Sequence, residues 1–523
     1  MSAGEIWRAP PRAPGFGDAA LPGLGGRAAR GGQQIDYALV RVLQGQVADR
    51  LTVVRQQRLV GGQPELAARD ERQLTLTLIR EAVAAHIQAH VDGGLELPDA
   101  SLDADLARAV ESAIFGAGAL QPLLDDPDVE NIDINGTQVW VTYADERGKV
   151  LADPVVGSDE ELIDLVSTLA AYQGVNARPF TPASPELDLR LGDGSRLSAV
   201  MTASPRPVVS IRRNRFPQMF LNTIPAAARP ARGRRTRTPV PGAGGAGEPA
   251  QTLLELGTVD EQLAAFLHAA VLGRCNIVVA GATDSGKTTL LRALIHCVPP
   301  AERLVTVERA LELGLGRHPQ LHPDVVELEE VLPAAGGGGG VSIGQLVRRS
   351  RRMNPSRVIV GEVLGPEVVE MLSAMSQGND GSLSTLHARA AADVFNRLAT
   401  YAAQHEHLDF SVTHALIGAS VDLVVFIRKN PRRAGRRMVM EVLEVTGSSD
   451  GRVTRSHLFT EGPDGRARRE VEIPIRRAGL LAEHGYDELA WDDGRRRADA
   501  GWDGYGTGAG SGPWPQGPEP WSG

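Results

Sequence analysis

Residues Ala280 to Thr289 read A-G-A-T-D-S-G-K-T-T, and this stretch decides the fold class of the chain. It satisfies the pattern G-x-x-x-x-G-K-[ST] of a phosphate-binding loop. In such a loop the glycines let the backbone approach phosphate oxygens, successive N–H groups and the next helix start face the anion, the lysine supplies a point charge, and the threonine hydroxyl reaches Mg²⁺. The predicted phosphate-binding residues are Gly281, Ala282, Thr283, Asp284, Ser285, Gly286, Lys287, Thr288 and Thr289.

The flanking residues agree with the motif. Residues 275–280 form a short apolar run suited to a buried parallel strand, and residues 290–295 carry a helical stripe of leucine and isoleucine that ends before Pro299. Among 55 basic residues only Lys149, Lys287 and Lys429 are lysines, so this chain has almost replaced lysine by arginine but keeps one in the loop.

Composition limits the other classes of function. A chain of 523 residues with 42% apolar content has room for two or three domains with proper cores. The net charge of −9 argues against nucleic acid as a partner. Two cysteines favour a reducing compartment, and no stretch approaches the roughly 20 apolar residues of a membrane span. We therefore predict a cytoplasmic protein.

Pattern changes along the chain divide it into six regions. Apolar residues recur at helical spacing in the second region, and strand pairs around the turn signals Asn135-Gly136 and Gly192–Gly194 mark the third. The fifth region alternates helices with short β-branched strands, which predicts a mainly parallel sheet. The predicted regions are a disordered N-terminus (1–34), a helical segment (35–114), a smaller α/β domain (115–217), a flexible linker (218–251), a nucleotide-binding α/β domain (252–450) and a C-terminal extension (451–523), largely disordered at its end. In the fifth region, strands are predicted at residues 304–307, 358–360, 383–386 and 423–427.

Two features leave alternatives open. Five arginines between Arg229 and Arg237 could bind phosphate or lipid headgroups, but a solvated basic loop explains them as well. Four tryptophans after residue 490 could anchor a partner, although a disordered tail, with order fading beyond about residue 475, is the simpler interpretation.

Several blocks of sequence, taken in order, resemble the secretion (traffic) ATPase superfamily of type II and type IV secretion and type IV pili, most closely its CpaF/TadA-like branch of Flp pilus assembly. The blocks are residues 115–124, 128–136, 193–197, 209–213, the phosphate loop, 305–308, 357–363 and 381–388. The resemblance runs from the helical segment to about Gly447. It implies a RecA-like P-loop NTPase domain and a homo-hexameric motor that uses ATP and Mg²⁺. It also implies inner-membrane platform proteins as partners, a pilin or secreted substrate as an indirect partner, and a place at the inner face of the cytoplasmic membrane.

The same resemblance implies roles for individual residues. Glu308 matches the glutamate that orients or deprotonates the attacking water, and Glu362 matches the Walker B acidic residue that acts on Mg²⁺ or its waters. His387 matches a histidine that senses the γ-phosphate or couples neighbouring subunits. Thr288 and Glu362 are the implied Mg²⁺ ligands, partly through water, and Lys287 contacts the phosphates. Arg196 and Arg212 are the arginines that match best for closing over the nucleotide. Simpler alternatives are a surface carboxylate for Glu308 and a structural role for His387. Glu312 is the rival of Glu308 and Arg213 is the alternative arginine, whereas Arg348, Arg349 and Arg352 are candidates for contacts across the ring.

Four positions depart from the family pattern. They are Asp284 in the loop, Arg309 after Glu308, Leu364 after Glu362 and Asn379 in the histidine block. Gly361, which precedes Glu362 where P-loop proteins usually have aspartate, is normal for this family. The departures keep open a nucleotide-sensing assembly scaffold with weak or no turnover, and a type IV secretion or conjugation ATPase is the third hypothesis.

Overall fold

A computed structural model describes residues 37–92, 102–171, 179–215, 218–225, 250–331, 339–430, 436–488 and 491. The predicted disordered N-terminus, the arginine run at 229–237 and the tryptophans at 502, 514 and 521 lie outside these residues. The chain divides into two compact units, Met1–Ile114 and Phe115–Gly523. Among the described residues, no helix combines the length and the apolar character needed to cross a bilayer.

The first unit is helical. Its helices are α1 (Tyr37–Val60), α2 (Ala68–Asp92) and α3 (Leu102–Phe115), the last of which runs into the second unit by one residue. On α1 the buried residues Val40, Leu43 and Val47 recur every three or four positions, which forms one apolar stripe along the helix. The stripe packs against α2.

The second unit begins with a six-stranded antiparallel sheet in the order β3-β2-β1-β6-β5-β4. The strands are β1 (Val129–Asn135), β2 (Gln138–Tyr143), β3 (Lys149–Ala152), β4 (Glu186–Arg190), β5 (Arg196–Val200) and β6 (Val208–Arg212), with helices α4 (Gln121–Asp125) and α5 (Asp159–Ala171). Buried and accessible residues alternate along β5 and β6, and the buried set shares one core with Leu162 and Val166 of α5. The sheet is therefore covered by α5 on one face and leaves residues of the other face accessible.

A parallel pair of short strands, β7 (Gln218–Phe220) and β8 (Ala250–Thr252), follows. All three residues of β7 are buried. The predicted flexible linker over 218–251 is therefore wrong at its two ends, because the backbone pairing of β7 with β8 fixes them.

The larger sheet has nine strands in the order β11-β10-β12-β13-β9-β14-β15-β16-β17. The strands are β9 (Ile277–Gly281), β10 (Leu304–Glu308), β11 (Val325–Glu329), β12 (Arg357–Val363), β13 (Leu383–His387), β14 (Leu423–Lys429), β15 (Arg437–Ser449), β16 (Arg452–Glu461) and β17 (Ala467–Arg469). The first six strands in the sheet order run parallel, and the last three continue the sheet antiparallel. The predicted α/β fold with a mainly parallel sheet is confirmed, and the four predicted strands are observed as β10, β12, β13 and β14.

Helices cover both faces of this sheet. They are α6 (Glu261–Leu272), α7 (Lys287–Ile295), α8 (Ile343–Ser350), α9 (Val368–Ser376), α10 (Asp393–Glu406), α11 (Phe410–Ser420) and α12 (Ala478–Glu483). Successive residues of β9 alternate between two cores, since Ile277 and Val279 belong to one and Val278 and Ala280 to the other. The carboxyl ends of the parallel strands meet at one edge of the sheet, which is where ligands of such sheets bind.

The C-terminal boundary of this domain was predicted too early. Residue 450 lies in the turn between β15 and β16, so the proposed extension contributes two strands to the same sheet. The expected loss of order beyond residue 475 is also wrong as far as residue 488. Tyr486 is buried against Phe266 of α6, and Trp491 packs on the same core.

Candidate nucleotide-binding site

The phosphate loop joins the end of β9 to the start of α7. Gly286 precedes the helix with φ +98°, a left-handed conformation that favours glycine, and Asp284 has φ +59°. The Lys287 side chain is buried and its Nζ donates a hydrogen bond to the carbonyl oxygen of Ala282 at 3.1 Å. The ammonium group of Lys287 is therefore held next to the backbone of the phosphate loop. Burial lowers the pKa of Lys287.

A chain of polar contacts links Lys287 to the ends of two neighbouring strands. His387 ends β13 and is paired in register with Gly281 of β9. Its Nδ1 lies 3.1 Å from Lys287 Nζ and its Nε2 lies 2.7 Å from Oε1 of Glu362 on β12. Because an ammonium only donates, Nδ1 must accept, which in the neutral form of the ring leaves the proton on Nε2, the nitrogen that contacts Glu362. Burial lowers the pKa of His387 although the charge of Glu362 opposes it, in keeping with a neutral ring.

Glu308 is buried at the end of β10 and is only 3% exposed. Its Oε2 accepts the backbone N–H groups of Glu312 at 2.8 Å and Leu313 at 2.9 Å. In the described part of the chain its Oε1 has no hydrogen-bond partner. Burial raises the pKa of Glu308 to about 7, against the opposing effect of the Leu313 N–H group. The simpler interpretation of Glu308 as a surface carboxylate is therefore wrong.

The packing of Glu308 explains why glycine precedes Glu362. A Cβ atom on Gly361 would lie 2.8 Å from Cγ of Glu308, closer than real Cβ contacts. An aspartate at this position, as in many P-loop proteins, would force the buried glutamate to move.

The smaller sheet supplies the opposite wall of a cleft of about 650 Å³. Arg212 ends β6 and pairs with Asp284 at 3.0 Å, and Arg196 of β5 pairs with Glu312. Burial lowers the pKa of Arg196 to about 10, with a further lowering by the charge of Arg212. Gly286, Thr288 and Thr289 line the same cleft, so two predicted arginines do face the phosphate loop.

Three of the further candidates have partners of their own. Arg213 donates to the carbonyl oxygens of Leu123 and Asp126 within its own domain, and Arg348 pairs with Glu370. Glu312 contributes its backbone N–H to Glu308, which makes it a neighbour of Glu308 rather than a substitute for it.

Sequence reasoning missed two cations of this cleft. Lys429 of β14 and Arg437 of β15 both pair with the carboxylate of Asp284. Arg437 also bonds Glu130 of β1, which links the larger sheet to the smaller one. The retention of Lys429 in a chain almost without lysine was a usable signal, whereas nothing distinguished Arg437 among the many arginines.

The departures from the family pattern leave the central residues in place. Arg309 pairs with Glu330 at 3.2 Å, the Leu364 N–H bonds Glu367, and the carbonyl oxygen of Asn379 accepts from Ser382 at 2.8 Å. Asp284, expected to place a bare carboxylate near phosphates, is instead neutralised by its basic partners. Although burial opposes it, the hydrogen bond from Lys429 and the charge of Arg437 lower the pKa of Asp284.

The donor atoms at this edge suit Mg²⁺. The hydroxyl of Thr288 and the partly exposed carboxylate of Glu362 are hard oxygen ligands. Within the described ranges no group of three or more His, Cys, Asp or Glu side chains could hold a metal by itself. Such a donor set fits an ion that is completed by water and substrate phosphates.

Comparison with known proteins identifies the family. The fold is α/β with a RecA-like domain, and a model of the "Type II/IV secretion system protein" family matches residues 248–430. A Mycobacterium tuberculosis protein named for conjugal transfer is 31% identical over 356 residues, covering 66% of this chain and 89% of that protein. The type IV secretion system protein PtlH of Bordetella pertussis is 31% identical over 339 residues, covering 63% and 94%. The chain belongs to the type II/IV secretion ATPase superfamily.

A solved structure is also similar in sequence. The crystal structure of the Brucella suis VirB11 ATPase in complex with sulphate is 26% identical, covers 64% of this chain and 96% of its own, and has a TM-score of 0.31.

Proposed function

We propose that this chain hydrolyses ATP at the phosphate loop and uses the energy to drive a type II/IV secretion or pilus machine. One observation carries the proposal. Lys287, His387 and Glu362 form a continuous chain of polar contacts of 3.1 Å and 2.7 Å, and Glu308, with its raised pKa, lies on the neighbouring strand at the same edge of the sheet. Strongly perturbed titratable groups gathered beside an anion-binding loop are typical of catalytic sites.

The loop residues bind and orient the nucleotide. Backbone N–H groups after Gly281 and the start of α7 face the phosphates, and Lys287 adds a localised charge. Thr288 and Glu362 would hold Mg²⁺, partly through water, and the bound ion would neutralise phosphate charge. His387 keeps the Lys287 ammonium and Glu362 in fixed relative positions. Loss of the γ-phosphate would therefore change the contacts of His387 at the end of β13.

Glu308 is the proposed general base. Its Oε2 is held by two N–H groups while Oε1 keeps its capacity to accept a proton from water. A carboxylate with a pKa of about 7 is a stronger base than an ordinary glutamate and is still half ionised at neutral pH. We therefore expect turnover to rise as pH increases through about 7.

Arg196 and Arg212 are proposed to stabilise charge on the transferred phosphoryl group. They come from the smaller sheet and already face the phosphate loop, so we propose that the cleft between the two sheets opens and closes around the nucleotide during turnover. We propose that a homo-hexamer passes this closure to an inner-membrane platform protein at the cytoplasmic face of the membrane. The work would be pilin assembly of the Flp type or protein secretion.

A second candidate is a type IV secretion or conjugation ATPase, favoured by the names of the similar proteins from Mycobacterium tuberculosis and Bordetella pertussis. Its substrate could then include nucleic acid, which the acidic net charge disfavours. Deletion of the gene followed by separate assays of pilus formation, protein export and plasmid transfer distinguishes the candidates.

The enzymatic proposal is tested by Mg²⁺-dependent phosphate release from ATP. We expect activity in the wild type, loss in Lys287→Ala and retention in Lys149→Ala, where the altered lysine pairs with Asp133 on the smaller sheet. Nucleotide binding without phosphate release, even with lipid and platform partner present, would favour the nucleotide-sensing scaffold.

A further inference from the structure

A group of five charged side chains lies at the rim of the cleft, beside the phosphate loop. We call it the rim cluster, and its members are Glu130, Arg212, Asp284, Lys429 and Arg437. All five line the cleft that also exposes Gly286, Thr288 and Thr289. Three cations face two carboxylates, so the cluster carries one net positive charge next to the predicted position of the phosphates.

Asp284 is the centre of the rim cluster. Its Oδ1 lies 3.0 Å from Nη2 of Arg212 and 2.8 Å from Nη2 of Arg437, and its Oδ2 contacts Lys429. Its backbone oxygen also accepts from Nε of Arg437 at 3.1 Å. One carboxylate in the phosphate loop thus holds three cations that come from three different strands.

The two cations of the hairpin would repel each other without an anion. Lys429 and Arg437 are directly opposite in the β14–β15 pairing. Like charges in directly opposite cross-strand positions are destabilising. The shared carboxylate of Asp284 offsets this repulsion, and an incoming phosphate group could do the same.

We propose that Lys429 and Arg437 are phosphate-binding residues of this chain, and that Asp284 is an internal counterion which nucleotide phosphates displace. The proposal rests on the nucleotide-binding function proposed above. In the nucleotide-free protein Asp284 keeps the two cations at the cleft. When a polyphosphate binds, it takes over the contacts with Lys429 and Arg437, and the Asp284 carboxylate turns to solvent.

Direct binding measurements on the full chain test this exchange. The probes are ATP and inorganic pyrophosphate, each titrated by calorimetry at fixed ionic strength. We expect Lys429→Met to raise the Kd for both probes about tenfold, which corresponds to the loss of one charged contact. We expect Asp284→Asn to lower both Kd values by a similar factor, because the cations no longer have to be taken from a competing carboxylate.

The chain offers a matched control pair. Lys149 and Asp133 form a lysine–aspartate pair at 3.0 Å on the smaller sheet, between β3 and β1. Lys149→Met and Asp133→Asn should change neither Kd by more than about twofold, as expected of changes at an independent site. Lys429→Arg, which keeps the charge, should bind within a few-fold of the wild type, and thermal melting of every variant checks that it folds.

The double variant Asp284→Asn/Lys429→Met sharpens the test. If the two residues exchange one anion site, the gain from Asp284→Asn should shrink once Lys429 is absent, so the two effects should not add. An unchanged Kd in Lys429→Met, or weaker binding in Asp284→Asn, would refute the exchange and leave the rim cluster as a link between domains.

The outcomes also separate this inference from the proposed function. Binding that needs Lys287 but not Lys429 would refute only the exchange. Normal exchange without phosphate release would refute only hydrolysis. A wild type that binds neither probe would refute both.

Discussion

Two glutamates near the opposite ends of β10 have pKa values that are shifted in opposite directions. Glu302, just before the strand, receives two hydrogen bonds of 2.8 Å from the fully buried guanidinium of Arg357. Although burial opposes it, the hydrogen bond and charge of Arg357 lower the pKa of Glu302. Glu308, at the strand's end, forms no ion pair within the described part of the chain, and burial raises its pKa to about 7 although the charges of Arg190 and Arg292 oppose this. The ion pair at the amino end of the strand thus stabilises the fold, whereas the carboxyl end retains a glutamate that can exchange a proton near neutral pH.

The largest effect should come from removing the base at the carboxyl end. Glu308→Gln keeps the shape and one acceptor oxygen but cannot take a proton, so we expect ATP turnover to fall by about 10²–10⁴-fold. Nucleotide affinity should change little. Steady-state kinetics beside ATP titrations measure the two quantities, and near-normal turnover would remove Glu308 from the mechanism.

The matching change at the amino end should reduce stability and leave the chemistry intact. Glu302→Gln leaves the buried Arg357 without its carboxylate, and breaking a buried ion pair costs about 3–5 kcal/mol. Asp324→Asn is the control, because its partner Arg303 is on the surface and such pairs contribute about 0–1 kcal/mol. Chemical unfolding measures both variants, and equal losses would show that burial does not distinguish the pairs.

The pH dependence of stability should also differ between Glu308→Gln and the wild type. Folded Glu308 binds its proton more tightly than an ordinary glutamate with a pKa of 4.5, so ionising it costs the folded state. The wild type should therefore lose up to about 3 kcal/mol relative to Glu308→Gln as pH rises from about 4.5 to above 7. Thermal melts at pH 5 and pH 8 test this, and a constant difference between the proteins would contradict the raised pKa.

The smallest effect concerns the glycine that makes room for Glu308. Gly361→Ala brings a Cβ to 2.8 Å from Glu308 Cγ and should cost about 1–3 kcal/mol as overpacking. Gly344→Ala in α8 is the control, since its nearest neighbours would be at 3.8 Å and alanine favours helix. Chemical unfolding curves measure the stability of both variants. A Gly361→Ala variant as stable as the wild type would mean that Glu308 can move to make room for the added Cβ.

Much of the carboxyl-end site could be predicted from the sequence. Lys287 and Thr288 belong to one contiguous motif, and Glu308, Glu362 and His387 each end a short β-branched run. Residues at the carboxyl ends of parallel strands gather at one edge, so their proximity follows from the pattern. The partners of Asp284 could not be predicted from the sequence pattern, because Lys429 and Arg437 lie about 150 residues further along the chain.

The sequence alone determined the phosphate loop, the parallel α/β architecture and the family, because these depend on local spacing and on apolar periodicity. Only the tertiary structure decided the ionisation of Glu308, the neutral form of His387 and the neutralisation of Asp284. The tertiary structure also showed that the C-terminal strands belong to the larger sheet and that Tyr486 belongs to its core, neither of which could be predicted from composition. A pKa and a counterion depend on what surrounds a side chain in space, and that environment is assembled from distant segments by the packing of two sheets.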